Sequence, residues 1–273
     1  LLVAGAYQGL RNAKGAERHY QEVIRIDPSR GEAYLFLGNL YAETRKYPEA
    51  LHAFESLAKV APGSHLARYS MGRIYLELKE TDKARQEFRE AIKRNEDFDP
   101  AWVGLATSFE VQNRFDEAIA VYREALARDP GHREFRERLA HTHLRRGDLA
   151  AALAAYEELR RADPSNLTLL TRIGQIQAEQ KEYDQALGTF REVLAKDAGN
   201  GEARFALGLT LEELKRYEEA LEALGGITPQ DTRYVDALLH RGYIHGQLDQ
   251  MDQATVLFAE AARLRPQEGN VPY

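Results

Sequence analysis

Apolar residues recur along this chain in two alternating rhythms. Within Gly31–Ser64, Leu37, Gly38 and Tyr41 follow an i, i+1, i+4 spacing, and Ala50, Phe54 and Leu57 follow i, i+4, i+7. Both spacings gather their residues on one face of a helix, whereas a half-buried strand would alternate at every second residue. The stretch is therefore predicted to hold one helix (A), a short turn and a second helix (B). Asp99–His132 repeats the pattern without a gap, and further blocks of 34 residues start at positions 65, 133, 167, 201 and 235. Residues 1–30 fit positions 5–34 of a truncated block, and Gly269–Tyr273 remain as a tail. The expected fold class is all-α, with residues 1–268 forming a single array of antiparallel helix pairs.

Three block positions carry the packing argument. Position 20 is alanine in every block: Ala16, Ala50, Ala84, Ala118, Ala152, Ala186, Ala220 and Ala254. Position 8 is always Ala or Gly, from Ala4 and Gly38 to Gly242, and position 24 is always bulky, from Tyr20 and Phe54 to Phe258. Small residues let two helix backbones approach, and the large one fills the space beside them. A bigger side chain at position 20 would overpack the pair at about 1–3 kcal/mol per site. Pro28, Pro62, Pro130, Pro164 and Pro266 at position 32 are expected to end helix B, because proline disfavours helical geometry just before it. Departures from the pattern are concentrated late. Glu96, Ala198 and Thr232 replace that proline, Arg241 occupies an apolar position, and Gly225–Gly226 should stop one helix B early. The irregular stretch from Ile227 to Asp231 reads as a local change in packing, with a hinge or binding loop as the alternative.

Trp102, Leu37–Gly38, Tyr41, Ala50, Phe54 and Pro62 fall where W-x2-L-G-x2-Y, A-x3-F and P occur in tetratricopeptide repeats. The chain resembles that family over nearly its whole length. The resemblance implies a right-handed α-solenoid, the tetratricopeptide superhelix, with helix A lining a concave inner surface. Since one helix pair cannot bury its own apolar face, stacked neighbours supply the core.

Composition narrows the function. Lys and Arg total 37 against 43 Asp and Glu, a net charge of −6, which argues against a broad nucleic-acid-binding face. There is no cysteine, so disulfides, thiolate metal sites and cysteine nucleophiles are all excluded. The longest apolar run, Leu149 to Tyr156, is far short of the roughly 20 residues that span a bilayer, so direct membrane insertion is not expected. The start lacks a basic leader and is not Met, leaving cytoplasm and periplasm open for a soluble chain that could be a piece of a longer one. No phosphate loop, nucleophile elbow or H-E-x-x-H run is present. His141 and His143 lie on opposed sides of a helix, and His143 reads as a core residue. His240 and His245 also read as structural. The Asn166–Leu167–Thr168 sequon is discounted without a secretory signal. No catalytic residue, metal site or cofactor is expected.

In the family, helix A positions 2, 5, 9, 12 and 13 face the groove, with position 6 close by. That implies a partner-binding surface in three zones. Leu35, Asn39, Tyr69, Arg73, Val103 and Thr107 form a mixed N-terminal zone. Arg138, His141, Arg145, Arg172 and Gln175 form a central one, with Glu134 and Glu137 beside them. Phe205, Leu209, Leu239 and Tyr243 form an apolar C-terminal patch of the kind that marks partner sites. Glu43, Glu77, Glu110, Glu179, Glu212 and Glu213 run along one rim, most simply as a solubilising face. The family's carboxylate clamp is not matched, because only Asn39 fits, with Leu35, Ser70, Pro100 and Gly104 at the other places. The expected function is a non-enzymatic scaffold holding a protein or peptide partner in its groove. The alternative is a targeting module of a larger enzyme, or of an assembly or secretion complex. Self-association is a further expectation, since Val256, Leu257 and Leu264 on the last helix B have no following repeat to cover them.

Overall fold

The computed structural model describes residues 13–264, which hold fifteen helices and no strand. The A helices are α2 (Gly31–Glu43), α4 (His65–Glu77), α6 (Asp99–Glu110), α8 (Arg133–Arg146), α10 (Leu167–Glu179), α12 (Gly201–Glu213) and α14 (Tyr234–Gln247). The B helices are α1 (Ala13–Ile26), α3 (Tyr47–Val60), α5 (Thr81–Arg94), α7 (Phe115–Arg128), α9 (Leu149–Ala162), α11 (Tyr183–Lys196), α13 (Tyr217–Gly225) and α15 (Met251–Leu264). Position 8 of the first block (Ala4), Pro266 and the tail Gly269–Tyr273 lie outside the described residues. The helices gather into two compact units, one ending at Arg146 and one starting at Gly147. In the first unit, α1 to α8 each pack on the next, and α2, α4 and α6 also touch in sequence. In the second, α9 to α15 do the same, with contacts running α10 to α12 and α12 to α14.

The small-to-large contact works as the pattern requires. Seven of the position-20 alanines are wholly buried and Ala254 is nearly so. A β-carbon on Gly38 would lie 2.5 Å from the Phe54 ring, and one on Gly72 would lie 2.8 Å from Phe88. The rings thus press directly on the neighbouring helix backbone, in space that a larger residue at position 8 would take.

Six of the seven A–B turns among the described residues share one device. The backbone N–H of Lys46 donates to the Tyr41 carbonyl and that of Arg45 to Ala42, the paired bonds of a Schellman helix end. The same two bonds recur at Lys79–Glu80, Asn113–Arg114, Lys181–Glu182, Lys215–Arg216 and Asp249–Gln250. This geometry forces position 15 into the left-handed region, where Arg45, Lys79, Asn113, Lys181, Lys215 and Asp249 have φ of 55–63°. Glycine, which adopts that region freely, occupies the position only at Gly147, with φ of 82°.

Helix B ends differently from the expectation. Prolines follow α1, α3, α7 and α9, but α5 and α11 stop at the same block position without one. There the residue one place earlier does the work. Asn95 Oδ1 accepts the N–H of Asp97, and Asp197 Oδ1 accepts that of Gly199. Asp27 and Asp129 make the same local bond, a side-chain turn that competes with helix continuation. α13 stops at Gly225 as expected, Ile227 is buried behind it, and the irregular segment runs on to Arg233.

Two outcomes follow. Asp249→Gly should raise stability in chemical denaturation by about 0.5–1 kcal/mol, by relieving a left-handed L-residue; an unchanged midpoint would mean the turn holds no strain. Burial pushes the hydroxyls of Tyr20, Tyr41, Tyr75 and Tyr122 above the ordinary tyrosine pKa. The folded chain therefore holds those protons more tightly than the unfolded one, and stability should be lost as pH rises past about 10. Helix content followed by circular dichroism should fall alongside tyrosinate absorbance, and Tyr122→Phe should shift the loss to higher pH.

Candidate functional site

In the first unit, the faces of α2, α4, α6 and α8 that the sequence marked as groove enclose two neighbouring cavities. The larger, of about 600 Å³, lies over the Phe54 ring between α2 and α4, lined by Phe36, Asn39, Ser70, Arg73 and Glu77 among others. The smaller, of about 310 Å³, lies over Phe88, lined by Tyr69, Arg73, Val103, Gly104, Thr107 and Arg138 among others. Asn39, Tyr69, Arg73, Val103 and Thr107 of the N-terminal zone line these two spaces, Arg138 of the central zone joins them at the smaller one, and Arg73 lines both. Leu35 instead packs, half-buried, against the core around Tyr20, Leu37 and Phe54. His141 is exposed on α8.

The cavities follow a rule that can be stated on two block positions. Each lies over a position-24 aromatic where position 6 of the next helix A is small, Ser70 above Phe54 and Gly104 above Phe88. A β-carbon on Gly104 would come within 2.6 Å of the Phe88 ring, so Phe88 is seated between two glycines, Gly72 and Gly104. One block further the same place is filled, because Arg138 stands over the buried Tyr122 and interacts with it. Position 6 entered the sequence reading as a place close to the groove and as one of the unmatched clamp places; its side-chain size was the signal for where the groove opens.

The charges in this groove are mostly paired. Arg138 donates to Glu134 at 2.8 Å and Arg133 to Glu137 at 2.7 Å. Arg145 bonds Glu110 at 3.1 Å and lies 5.0 Å from the centre of the Phe115 ring. Glu110 also accepts the Thr142 hydroxyl at 2.7 Å, so this rim glutamate is engaged and largely buried, not a free solubilising group. Arg73 differs. Its guanidinium stands 5.9 Å from the centre of the Tyr69 ring and makes no ion pair among the described residues.

The second unit corrects the expected apolar patch. Phe205 is only 8% exposed, with the Arg233 guanidinium 5.3 Å from its ring centre and His240 edge-on at 5.6 Å. Arg233 and Gln175 both reach Glu202, at 3.4 and 3.0 Å, and His240 Nδ1 meets Glu212 at 2.8 Å. Leu209 packs on the main core of this unit and Leu239 on the cluster of Leu238 and Leu257. Tyr243, at 51%, is the one member that stays open. The sequence could not show that the irregular segment before α14 returns Arg233 over Phe205. Arg172 is exposed on α10. Leu257, expected on the surface, is buried, while Val256 and Leu264 are exposed. No group of His, Asp and Glu placed to hold a metal occurs among the described residues, and no helix there is long and apolar enough to cross a membrane.

A cavity that sequence reading missed lies away from these faces. It holds about 500 Å³ between α1, α2 and α3, over Leu37 and Tyr41 and beside Ala53. In the next block the residue matching Ala53 is Glu87, which pairs with Arg68 at 3.1 Å.

The groove faces belong to a known architecture. Family models described as tetratricopeptide repeat match residues 4–51, 37–101 and 103–166, then 177–242, then 235–268. No curated protein matches the chain. Among solved structures, MamA from Desulfovibrio magneticus RS-1, residue 41 to the end, aligns with a TM-score of 0.54 at 18% identity, covering 62% of this chain and 96% of MamA's. A tetratricopeptide repeat protein from Parabacteroides merdae aligns with a TM-score of 0.54 at 14% identity, over 92% of this chain and 96% of its own. The Cut9–Hcn1 assembly of the APC/C aligns at 0.50 and 19% identity, over 97% of this chain and 52% of the matched one. Identities this low speak for the fold alone, but the repeat matches run along almost the entire sequence: the chain belongs to the tetratricopeptide repeat family.

Proposed function

We propose that this chain is a scaffold without catalytic chemistry of its own, which holds a segment of a partner protein against the helix A faces of its first unit. The observation that carries the reading is the pair of adjoining cavities over Phe54 and Phe88. Concave spaces with apolar floors and a few polar groups at the mouth are the usual form of a recognition site. Membership in the tetratricopeptide family supports the same reading. A role as the targeting module of a larger enzyme or assembly complex would use the same surface.

A second contact is favoured by α15, on one side of which Val256 is 65% exposed and Leu264 45%. An apolar face of this kind suits association with another copy of the chain.

Partners captured from the source cell should lose affinity for Tyr69→Ala combined with Val103→Glu by roughly 30-fold, the size of a hot-spot loss of about 2 kcal/mol. His52→Ala, at the other cavity, should leave binding unchanged, and thermal melts would confirm that both variants fold. Equal capture by parent and groove variant would rule the site out. For the second contact, sedimentation should be concentration-dependent and become monomeric in Val256→Glu with Leu264→Glu; a parent that is monomeric at all concentrations would exclude it.

A further inference from the structure

The smaller cavity has one unmet electrostatic demand. Two carboxylates and two guanidinium groups line it. Glu134 is bonded to Arg138 at 2.8 Å, and Asp99 to His132 at 2.9 Å. That leaves the exposed Arg73 as the cation with no carboxylate partner among the described residues. Glu77, one turn further along α4, lines the larger cavity with Arg73 but does not reach it as an ion pair. Tyr69, which lines the same cavity, meets the guanidinium with its ring face, a contact that orients the cation without neutralising it.

The rest of the cavity is a receptacle for one apolar side chain. Its floor is the Phe88 ring beneath Gly104, and its walls come from Tyr69, Leu76, Pro100 and Val103. At about 310 Å³ it sits at the small end of ligand pockets, with room for a single large side chain. Arg73 is exposed and lines both this receptacle and the larger cavity beside it, so a side chain buried over Phe88 leaves the guanidinium to a neighbouring residue of the same partner. In an extended chain, residues two apart point to the same side, about 7 Å from each other.

Resting on the groove reading above, we infer that the first unit recognises an extended peptide segment in which a large apolar residue sits two positions from an aspartate or glutamate. The apolar side chain enters over Phe88 and the carboxylate meets Arg73. A segment with a basic residue at that place is rejected by like charge.

The test is selection from a random twelve-residue peptide library displayed on phage, panned against the intact chain and against Arg73→Glu. Peptides enriched on the parent should carry an acid two positions from Leu, Ile, Met or Phe. Those enriched on Arg73→Glu should carry lysine or arginine there instead. One enriched peptide, labelled for fluorescence anisotropy, should bind Arg73→Glu about tenfold or more weakly, since reversal removes an attraction and adds a repulsion. The same peptide with its carboxylate replaced by an amide should bind parent and Arg73→Gln alike. If enriched peptides show no acid, or bind Arg73→Glu undiminished yet fail on Val103→Glu, the carboxylate preference is overturned and the groove reading survives. If they bind Val103→Glu as well as the parent, or the library yields no binder, the groove reading falls and the inference with it.

Discussion

An aromatic ring pressed against a helix backbone is the contact on which the rest of this molecule is built. Phe54 and Phe88 can meet Gly38 and Gly72 only because those positions carry no β-carbon, and position-20 alanines bring the two helices close enough for the ring to matter. That contact fixes how far apart helices A and B sit within a block. With the spacing set, each helix within a unit packs on the next, and apolar faces that no single pair could bury become a continuous core in each unit.

The groove is a by-product of the same contact. Phe54 and Phe88, which lock their own blocks, also face helix A of the next, so the floor between neighbouring A helices is aromatic there. What stands on that floor is decided by position 6. Ser70 and Gly104 leave it open, and Arg138 covers it with an ion-paired head. Recognition surface is thus gained by removing a side chain from a frame whose stability comes from elsewhere.

The sequence made the frame readable because it depends on periodic, local requirements: small residues where backbones meet, bulky ones where space must be filled. Helix boundaries were legible for the same reason, although the part given to proline is shared with Asn95 and Asp197, whose short side chains close the turn onto their own backbone. The grouping of Tyr69, Arg73, Val103 and Thr107 around one space was implied by the family resemblance, which supplies the groove positions of helix A. The second unit was less readable. Phe205 has the right register for an exposed groove residue, but Arg233 and His240 cover it, one of them from an irregular segment that no repeat position describes. The cavity beside Ala53 escaped notice because it arises from a side chain that is absent, in a place that Glu87 and Arg68 fill in the next block.

The left-handed residue at each A–B turn links backbone geometry to solvent conditions. Arg45, Lys79, Lys181 and Lys215 carry their positive charge just past the carbonyl end of a helix, where the aligned peptide dipoles concentrate negative potential. Glycine would relax the backbone at these four places but forfeit that attraction, which ions in solution screen. The least strained turn and the most favourable turn are therefore different sequences at low ionic strength, and they converge as salt is added.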